Sequence, residues 1–442
     1  MTFNMPEAQN LFGKSTQHLE GENLGSLPGA DDITRVEISN RIVVLARENF
    51  NSPSVVISGY LPAGNLLESD DKLGLAAFTA AALMRGTKSR NFQEIFNALE
   101  SAGASLQFEG ATHTTSFNGR ALAEDLDLLL ELCAESLRQP VFPTDQVERL
   151  RAQILTGLAI RAQDTGEMAS LTFDKLVYAG HPYSRPEDGY PETIANITRE
   201  DLQEFHHHCY GPRGMVIALV GAVDSKRAVE RISEILGGWE NPDQCESPAL
   251  PPVSAPTELL TQEVKIPGKI QTDIIVGSIG PERRSSDFLT ALIANNILGQ
   301  FGMMGRIGEV VREQEGMAYY AYSSLVGGSG PGPWYVSAGV NPTNVDRAIE
   351  LIRQEIARFV NEPVTAEELA DSQTNFIGRL PLSLESNGGV ASALLSLERF
   401  DLGLDYLRQY PDLIKAITVE DMLETAKRYL HPDRLGIAIA GP

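Results

Sequence analysis

Apolar and polar residues alternate near the start of the chain in the way that half-buried strands do. The segments RVEISNRIVVLARE and SVVISGYLPAG alternate over much of their length, which is typical of antiparallel strands. A further strand pair is predicted in SLQFEGATHTTSFNGRAL. Elsewhere apolar residues recur at helical spacing, and they predict helices at residues 72–85, 92–102, 124–137 and 145–163.

The second part of the chain follows a similar order. The apolar segments KIQTDIIVGSIG, AYYAYSS and GPWYVSAGV predict strands. Helical spacing predicts helices at residues 286–299, 304–315, 343–360 and 365–380. A set of strands accompanied by helices therefore occurs twice.

An internal repeat supports this division. Residues 197–221, ITREDLQEFHHHCYGPRGMVIALVG, match residues 417–441, ITVEDMLETAKRYLHPDRLGIAIAG, with a constant offset because 417 − 197 and 441 − 221 are both 220. In each copy a threonine, Thr198 or Thr418, is placed to cap a helix whose first turn is acidic. A proline then precedes a short apolar run that predicts a buried strand.

The fold class follows from this order of elements. We expect an α+β fold of two homologous domains, each a mixed β-sheet with helices packed on one face. The first domain is predicted at residues 33–240 and the second at residues 261–442, after an N-terminal arm of residues 1–32. Residues 241–260 are rich in proline, serine and acidic residues, which is typical of a semi-rigid linker.

Charge and cysteine content exclude several classes of protein. Asp and Glu number 59 against 36 Lys and Arg, a net charge of −23, which argues against nucleic-acid binding. The acidity favours solubility, and the alternative is a cavity that attracts basic peptides. Cys133, Cys209 and Cys245 are too widely spaced to indicate a disulfide framework or zinc ribbon. The polar start and the lack of a long apolar run predict no signal peptide, no membrane span and a cytoplasmic location.

One short segment carries a family resemblance. GLAAFTAAALMRGT, residues 74–87, resembles the inverted zinc motif region of the pitrilysin/insulinase peptidases, which include mitochondrial processing peptidase. The agreement is at Gly74, Leu75, Ala76, Phe78, Leu83, Gly86 and Thr87. HPYSRPEDGYPETIANITREDLQEFH and VREQEGMAYYAYSS are also similar to that family. The resemblance covers residues 33–442 and implies the LuxS/MPP-like metallohydrolase fold.

The chain departs from the family at each position that would bind or use zinc. The resemblance implies metal-binding histidines at Ala77 and Ala81, a general-base glutamate at Ala80 and a third ligand, also glutamate, at Gly157. Residues four apart share one helix face, so two histidines there could reach one ion. Alanine and glycine side chains offer no lone pair and no proton. We therefore expect this chain to bind no metal and to have no catalytic residues when alone.

The resemblance also implies a role for Arg312 and Tyr319, which are seven residues apart. In the family such a pair holds the substrate backbone and stabilises the developing oxyanion, which suits a forked guanidinium and a phenol. The alternative is that Arg312 forms a surface salt bridge and Tyr319 packs in the core.

Three functions are open on the sequence. The first is a non-catalytic subunit of a heterodimeric zinc endopeptidase that acts on unfolded peptides, with a homologous partner carrying zinc and this chain supplying Arg312 and Tyr319 in trans. Such a chain would take part in proteolysis only with its partner, and alone it could form a homodimer. The second is a non-proteolytic structural or peptide-binding protein. The third, an independent hydrolase, is disfavoured because no Ser-His-Asp or Cys-His arrangement is recognisable.

Overall fold

The computed structural model describes residues 27–442. Its first sheet has six strands in the spatial order β1-β2-β6-β3-β5-β4. β2 and β6 are parallel, and the other neighbours are antiparallel, so the sheet is mixed. The strands are β1 (Thr34–Glu37), β2 (Val43–Glu48), β3 (Ser54–Leu61), β4 (Ser105–Gly110), β5 (Thr115–Leu122) and β6 (Val216–Gly221).

The second sheet has five strands in the order β7-β11-β8-β10-β9. β7 and β11 are its parallel pair, and β9 is an edge strand. The strands are β7 (Leu260–Lys265), β8 (Thr272–Ile279), β9 (Ala318–Leu325), β10 (Pro333–Val340) and β11 (Gly436–Gly441). The two mixed sheets agree with the α+β class expected from the sequence.

Each half also contains helices, which alternate with its strands along the chain. In the first half they are α1 (Leu75–Ala82), α2 (Phe92–Ser101), α3 (Leu126–Arg138), α4 (Thr144–Arg161), α5 (Thr165–Val177), α6 (Pro191–Asn196), α7 (Arg199–Cys209) and α8 (Ser225–Leu236). In the second half they are α9 (Phe288–Gly299), α10 (Phe301–Gly308), α11 (Val345–Asn361), α12 (Ala366–Ser383), α13 (Asn387–Arg399), α14 (Tyr406–Lys415) and α15 (Val419–Tyr429).

The sequence repeat is a structural repeat. Thr198 caps α7 by accepting from the Asp201 N–H at 3.1 Å, and the Asp201 carboxylate accepts from the Thr198 N–H at 2.6 Å. Thr418 and Asp421 form the same capping box on α15, at 3.1 and 3.0 Å. Each box satisfies two amides that the first helical turn leaves free. The strand that follows, β6 or β11, lies inside its sheet and is almost entirely buried.

Each sheet is covered on its second face by a helix from the other half. α13 of the second half packs on β3 and β6, where Leu394 joins Val56 and Val220 in one buried cluster. In return, α5 of the first half packs on β8 and β11, where Phe173 contributes to a cluster with Ile275. The sequence predicts helices on one face of each sheet, and the structure adds this exchange on the opposite face. The exchange makes the two halves share their apolar cores.

Two predicted helices have different bounds in the structure. The segment 72–85 is α-helical only from Leu75 to Ala82, with short 3₁₀ turns on either side. The segment 304–315 is divided, since α10 ends at Gly308 and residues Glu309–Gln314 form a π-helical turn. The wider turn buries Val311 in the core and leaves Arg312 partly exposed.

Candidate functional site

Helix α1 is held at its N-terminus by a buried carboxylate. Glu68 accepts hydrogen bonds from the backbone N–H groups of Gly74 at 2.9 Å and Ala76 at 2.5 Å. These are amides that the first helical turn cannot pair internally. Burial raises the pKa of Glu68 to about 8, although both hydrogen bonds favour the charged form. Sequence reasoning did not identify this residue, because a carboxylate seven residues before the start of a helix is not a recognised capping pattern.

Ala77 and Ala81 of α1 lie on one face of the helix, as the zinc motif of the peptidase family would require of its two histidines. Ala77 and Ala81 line a cavity of about 550 Å³, which we call the α1 cavity, and Ala80 is buried beside it. The N-terminal part of α1 packs directly on β4, because a Cβ added at Gly110 would lie 2.8 Å from the Ala77 Cα. Methyl groups therefore occupy the two positions from which imidazoles would project.

Gly157 lies on the helix that packs beside α1. α4 contacts α1, and the Arg151 guanidinium of α4 lies 5.3 Å from the centre of the Phe78 ring. Gly157 is exposed, and a Cβ built there would meet nothing within 4 Å. The position is open to a larger side chain, so its glycine is not imposed by a close contact.

The residues present do not fit a metal ion. Among residues 27–442, no group of three or more His, Cys, Asp or Glu side chains is arranged to hold one. The HHH run at 206–208 provides no such group, since His206 donates from Nε2 to the Leu137 carbonyl at 2.8 Å and His207 lies 3.7 Å from Asp243. No zinc-dependent step can therefore be derived through the side chains of residues 27–442.

The α1 cavity adjoins a second cavity between the two halves. This interhalf cavity has a volume of about 360 Å³ and shares Thr112, Asp174, Tyr183 and Glu187 with the α1 cavity. Aromatic rings form much of its wall, namely those of Phe173, Tyr178, Tyr183 and Tyr335. Its size falls within the range of small-ligand pockets.

The charged groups that line the interhalf cavity differ in whether they have a hydrogen-bond partner. The Glu187 carboxylate accepts from the Thr112 N–H and hydroxyl, both at 2.6 Å. The Asp174 side chain has no hydrogen-bond or ion-pair partner among the described residues, and its pKa is raised to about 7 by burial and by the charge of Glu187. Arg399, on α13, donates to the Thr114 hydroxyl at 2.5 Å and lies over the Tyr60 ring. Sequence patterns did not identify these residues because they come from distant segments.

A glycine-rich loop between β9 and β10 closes one side of this cavity. Tyr178 donates to the Pro331 carbonyl at 2.9 Å, and the Tyr183 hydroxyl lies 2.7 Å from His113 Nε2. A side chain at Gly330 would displace Tyr183, since a Cβ there would be 2.5 Å from the Tyr183 hydroxyl oxygen. Burial lowers the pKa of His113 to about 4, so its imidazole is neutral at pH 7.

Arg312 and Tyr319 lie on two neighbouring elements of the second half. Arg312 is in the π-helical turn that packs against β9, and Tyr319 is near the start of that edge strand. Tyr319 is 64% exposed, and the nearest acidic partner of Arg312 in the described chain is Glu313 at 3.9 Å. Neither residue lines the α1 cavity or the interhalf cavity. The exposure of Tyr319 does not fit the alternative that it packs in the core.

Comparison with known proteins places this two-sheet fold among the M16 peptidases. The family model described as Insulinase (Peptidase family M16) matches residues 43–179, and the model described as Peptidase M16 inactive domain matches residues 196–376. The chain belongs to the M16 peptidase family, and it lacks the zinc motif on α1.

Relatives with different descriptions cover nearly the whole chain. An uncharacterized zinc protease from Mycobacterium leprae is 24% identical over 97% of this chain and 96% of its own length. A non-peptidase homolog from Helicobacter pylori is 22% identical over 93% of this chain and 94% of its own. The β subunit of mitochondrial-processing peptidase from Saccharomyces cerevisiae is 24% identical, with coverages of 95% and 90%.

Solved structures share the fold. A peptidase M16 inactive domain from Pseudomonas fluorescens superposes with a TM-score of 0.87 at 24% identity, covering 93% of this chain and 98% of that one. A chain of complex III from Candida albicans superposes with a TM-score of 0.76 at 16% identity, with coverages of 92% and 95%. In the described part of this chain, no helix combines the length and apolar character that crossing a membrane requires.

Proposed function

We propose that this chain is the non-catalytic subunit of a heterodimeric zinc endopeptidase that cleaves unfolded peptides. The observation that carries the proposal is an α1 face without metal-binding side chains, together with a partly exposed Arg312 and an exposed Tyr319. Ala77 and Ala81 give the α1 face no metal-binding side chain, whereas Arg312 in the π-helical turn is partly exposed and Tyr319 on β9 is exposed. Zinc would be carried by a homologous partner subunit with an intact motif.

The role of each residue follows from its chemistry. The Arg312 guanidinium is permanently charged and forked, so it can hold a peptide carbonyl or carboxylate. The Tyr319 hydroxyl can donate a hydrogen bond to an oxyanion as it forms on the scissile carbonyl. Because neither side chain lines the α1 cavity or the interhalf cavity and Tyr319 is exposed, both would be available to a substrate bound on the partner.

The relatives support an assembly of this kind. The yeast relative is named as a subunit of a processing peptidase, and the Helicobacter relative is named a non-peptidase homolog. A chain without metal ligands that acts with a second subunit is compatible with both names.

The experiment is a reconstitution with kinetics. This chain is mixed with an M16 homologue from the same genome that has the H-x-x-E-H motif, and cleavage of an unfolded fluorogenic peptide is measured. Arg312→Ala and Tyr319→Phe should each lower kcat/KM by about 10²–10³ without dispersing the complex, as expected for loss of an oxyanion donor. Arg347→Ala and Tyr322→Phe are the matched controls, and they should retain activity. Unchanged turnover in both test variants would remove the trans role.

A second candidate function is favoured by the interhalf cavity. Its aromatic wall, and an Asp174 side chain with no partner in the described part of the chain, suit retention of a peptide without cleavage. The likeness to a chain of complex III concerns the fold alone. Peptide binding in the absence of any cleaving partner would favour this function over the first.

A further inference from the structure

Two cysteines that are distant in sequence are neighbours in the fold. The Sγ atoms of Cys209 and Cys245 are 3.5 Å apart, although the residues are separated by 36 positions. Cys209 is the last residue of α7 and is buried, whereas Cys245 follows the first half in the segment between the sheets and is half-buried. The spacing of these residues in the sequence gave no indication of this contact.

Hydrogen bonds hold the backbone on both sides of this contact. The Cys245 N–H donates to the His208 carbonyl at 2.7 Å, immediately before Cys209. The side-chain amide of Asn241 donates to the backbone carbonyls of His207 at 2.7 Å and Tyr210 at 2.8 Å. The segment 241–245 is therefore fixed against the end of α7, and the two sulfur atoms are kept in proximity.

We propose that Cys209 and Cys245 are a modification site at which a reversible disulfide ties the segment between the two halves to the end of α7. The bond requires the sulfur atoms to approach from 3.5 Å to about 2.05 Å. Rotation about the Cα–Cβ bond of Cys245 moves its sulfur while its backbone hydrogen bond is retained. Cys133, on α3, is buried in the first core and has no part in the pair.

The oxidation balances with hydrogen peroxide as the oxidant. The Cys245 thiolate attacks one peroxide oxygen, the O–O bond breaks, and the products are a sulfenic acid on Cys245 and, after protonation, water. The Cys209 sulfur then attacks the sulfenic sulfur, the S–O bond breaks, and the departing hydroxide takes the Cys209 proton as a second water. Two electrons pass from the two sulfurs to the peroxide. A dithiol reductant reverses the step by exchange.

The exposure of the two thiols sets this order of attack. Cys245 is half-buried and is therefore the thiol that peroxide reaches first. Burial and the neighbouring Cys245 thiol raise the pKa of Cys209, so it remains protonated until the sulfenic acid forms beside it. Disulfide formation needs one accessible attacking sulfur and one nearby resolving sulfur, and the pair provides both.

The cross-link would act on the connection between the halves. Beyond Cys245 the chain contacts the first half again, since His181 Nε2 donates to the Pro251 carbonyl at 3.1 Å and Val253 packs on the cluster around Phe173 of α5. A bond at Cys245 closes a loop that the unfolded chain would otherwise leave free, and this stabilises the folded state.

The test is thiol counting with peptide mapping on the full chain. After peroxide treatment and denaturation in the presence of a thiol-alkylating reagent, we expect the free thiols to fall from three to one. Tryptic digestion should then yield residues 200–213 linked to residues 232–265, and a dithiol should separate them. The melting temperature of the oxidised chain should exceed that of the reduced chain by a few degrees.

Three serine variants provide the controls. Cys133→Ser should still form the cross-link, whereas Cys209→Ser and Cys245→Ser should form none and should show no peroxide-dependent rise in melting temperature. Retention of three free thiols in the wild-type chain, or a cross-link that includes Cys133, would overturn the proposal. Cys245 is only half-buried, so Cys245→Ser is expected to fold. This variant therefore still tests the proposal if Cys209→Ser does not fold.

Discussion

The Glu68 carboxylate accepts a hydrogen bond from the Ala76 N–H at 2.5 Å, across eight residues of chain. With its bond to the Gly74 N–H, this contact anchors the start of α1 and fixes the direction of the face that carries Ala77 and Ala81. The helix that bears the zinc motif elsewhere in the family is therefore maintained here as a packed and capped element.

Glu68→Ala should destabilise the fold. The variant removes both acceptors, whether or not the carboxyl is protonated, and leaves the N–H groups of Gly74 and Ala76 without this partner. Such a loss costs about 1–3 kcal/mol in the free energy of unfolding, measurable by chemical denaturation. Glu94→Ala is the control, because Glu94 is also in a capping contact but at an exposed site. Equal effects for both variants would contradict the anchoring role of Glu68.

Asp174→Asn should change how stability depends on pH. The pKa of Asp174 is raised from 3.8 to about 7 in the folded state, so between these values the folded chain binds more protons than the unfolded chain. Its stabilising contribution is therefore complete at low pH and is lost as pH rises towards 7. The asparagine variant should gain stability relative to wild type over this interval, by on the order of 1–3 kcal/mol. A difference in unfolding free energy that stays constant from pH 4 to 8 would contradict the pKa assignment.

Leu394→Ala should weaken the whole molecule. Leu394 is fully buried on α13 against the sheet of the other half, and removing such a side chain costs about 2–5 kcal/mol. Because the halves share cores, both should unfold in one transition, which fluorescence and circular dichroism can monitor together. Leu382→Ala, at a position on α12 that is 68% exposed, should have little effect. Two separate transitions in the wild-type chain would contradict the shared core.

Restoring ligands to the α1 face should restore metal binding. Ala77 and Ala81 project into the α1 cavity, and Gly157 has open space for a side chain. The triple variant Ala77→His, Ala81→His and Gly157→Glu should therefore bind about one zinc per chain. The variant with Ala77→His alone is the control, and it should bind none tightly. If the triple variant folds but does not bind zinc, α1 and α4 are not oriented so that residues 77, 81 and 157 can reach one ion.

The repeated elements were predictable because their signals are local. The capping pattern at Thr198 and Thr418, followed by an apolar run, predicted α7 with β6 and α15 with β11, and the structure has both pairs. The α1 face was predictable because Ala77 and Ala81 are one helical turn apart. These features depend on residues close together in sequence.

The exchange of α5 and α13 between the halves was not predictable in this way. An amphipathic helix pattern shows that a face is apolar, but it does not show which sheet covers that face. The interhalf cavity and the Cys209–Cys245 contact likewise depend on segments brought together only by folding. The roles of Arg312 and Tyr319 remain predictions, although the structure leaves both side chains accessible.

The central claim is that this chain carries no zinc of its own, and elemental analysis tests it most directly. The purified wild-type chain is equilibrated with zinc, passed through a desalting column and measured for bound metal, with the H-x-x-E-H homologue as the positive control. We predict far less than one zinc per chain for this protein and about one for the homologue. One tightly held zinc per wild-type chain, together with chelator-sensitive peptide cleavage by that chain alone, would contradict the claim.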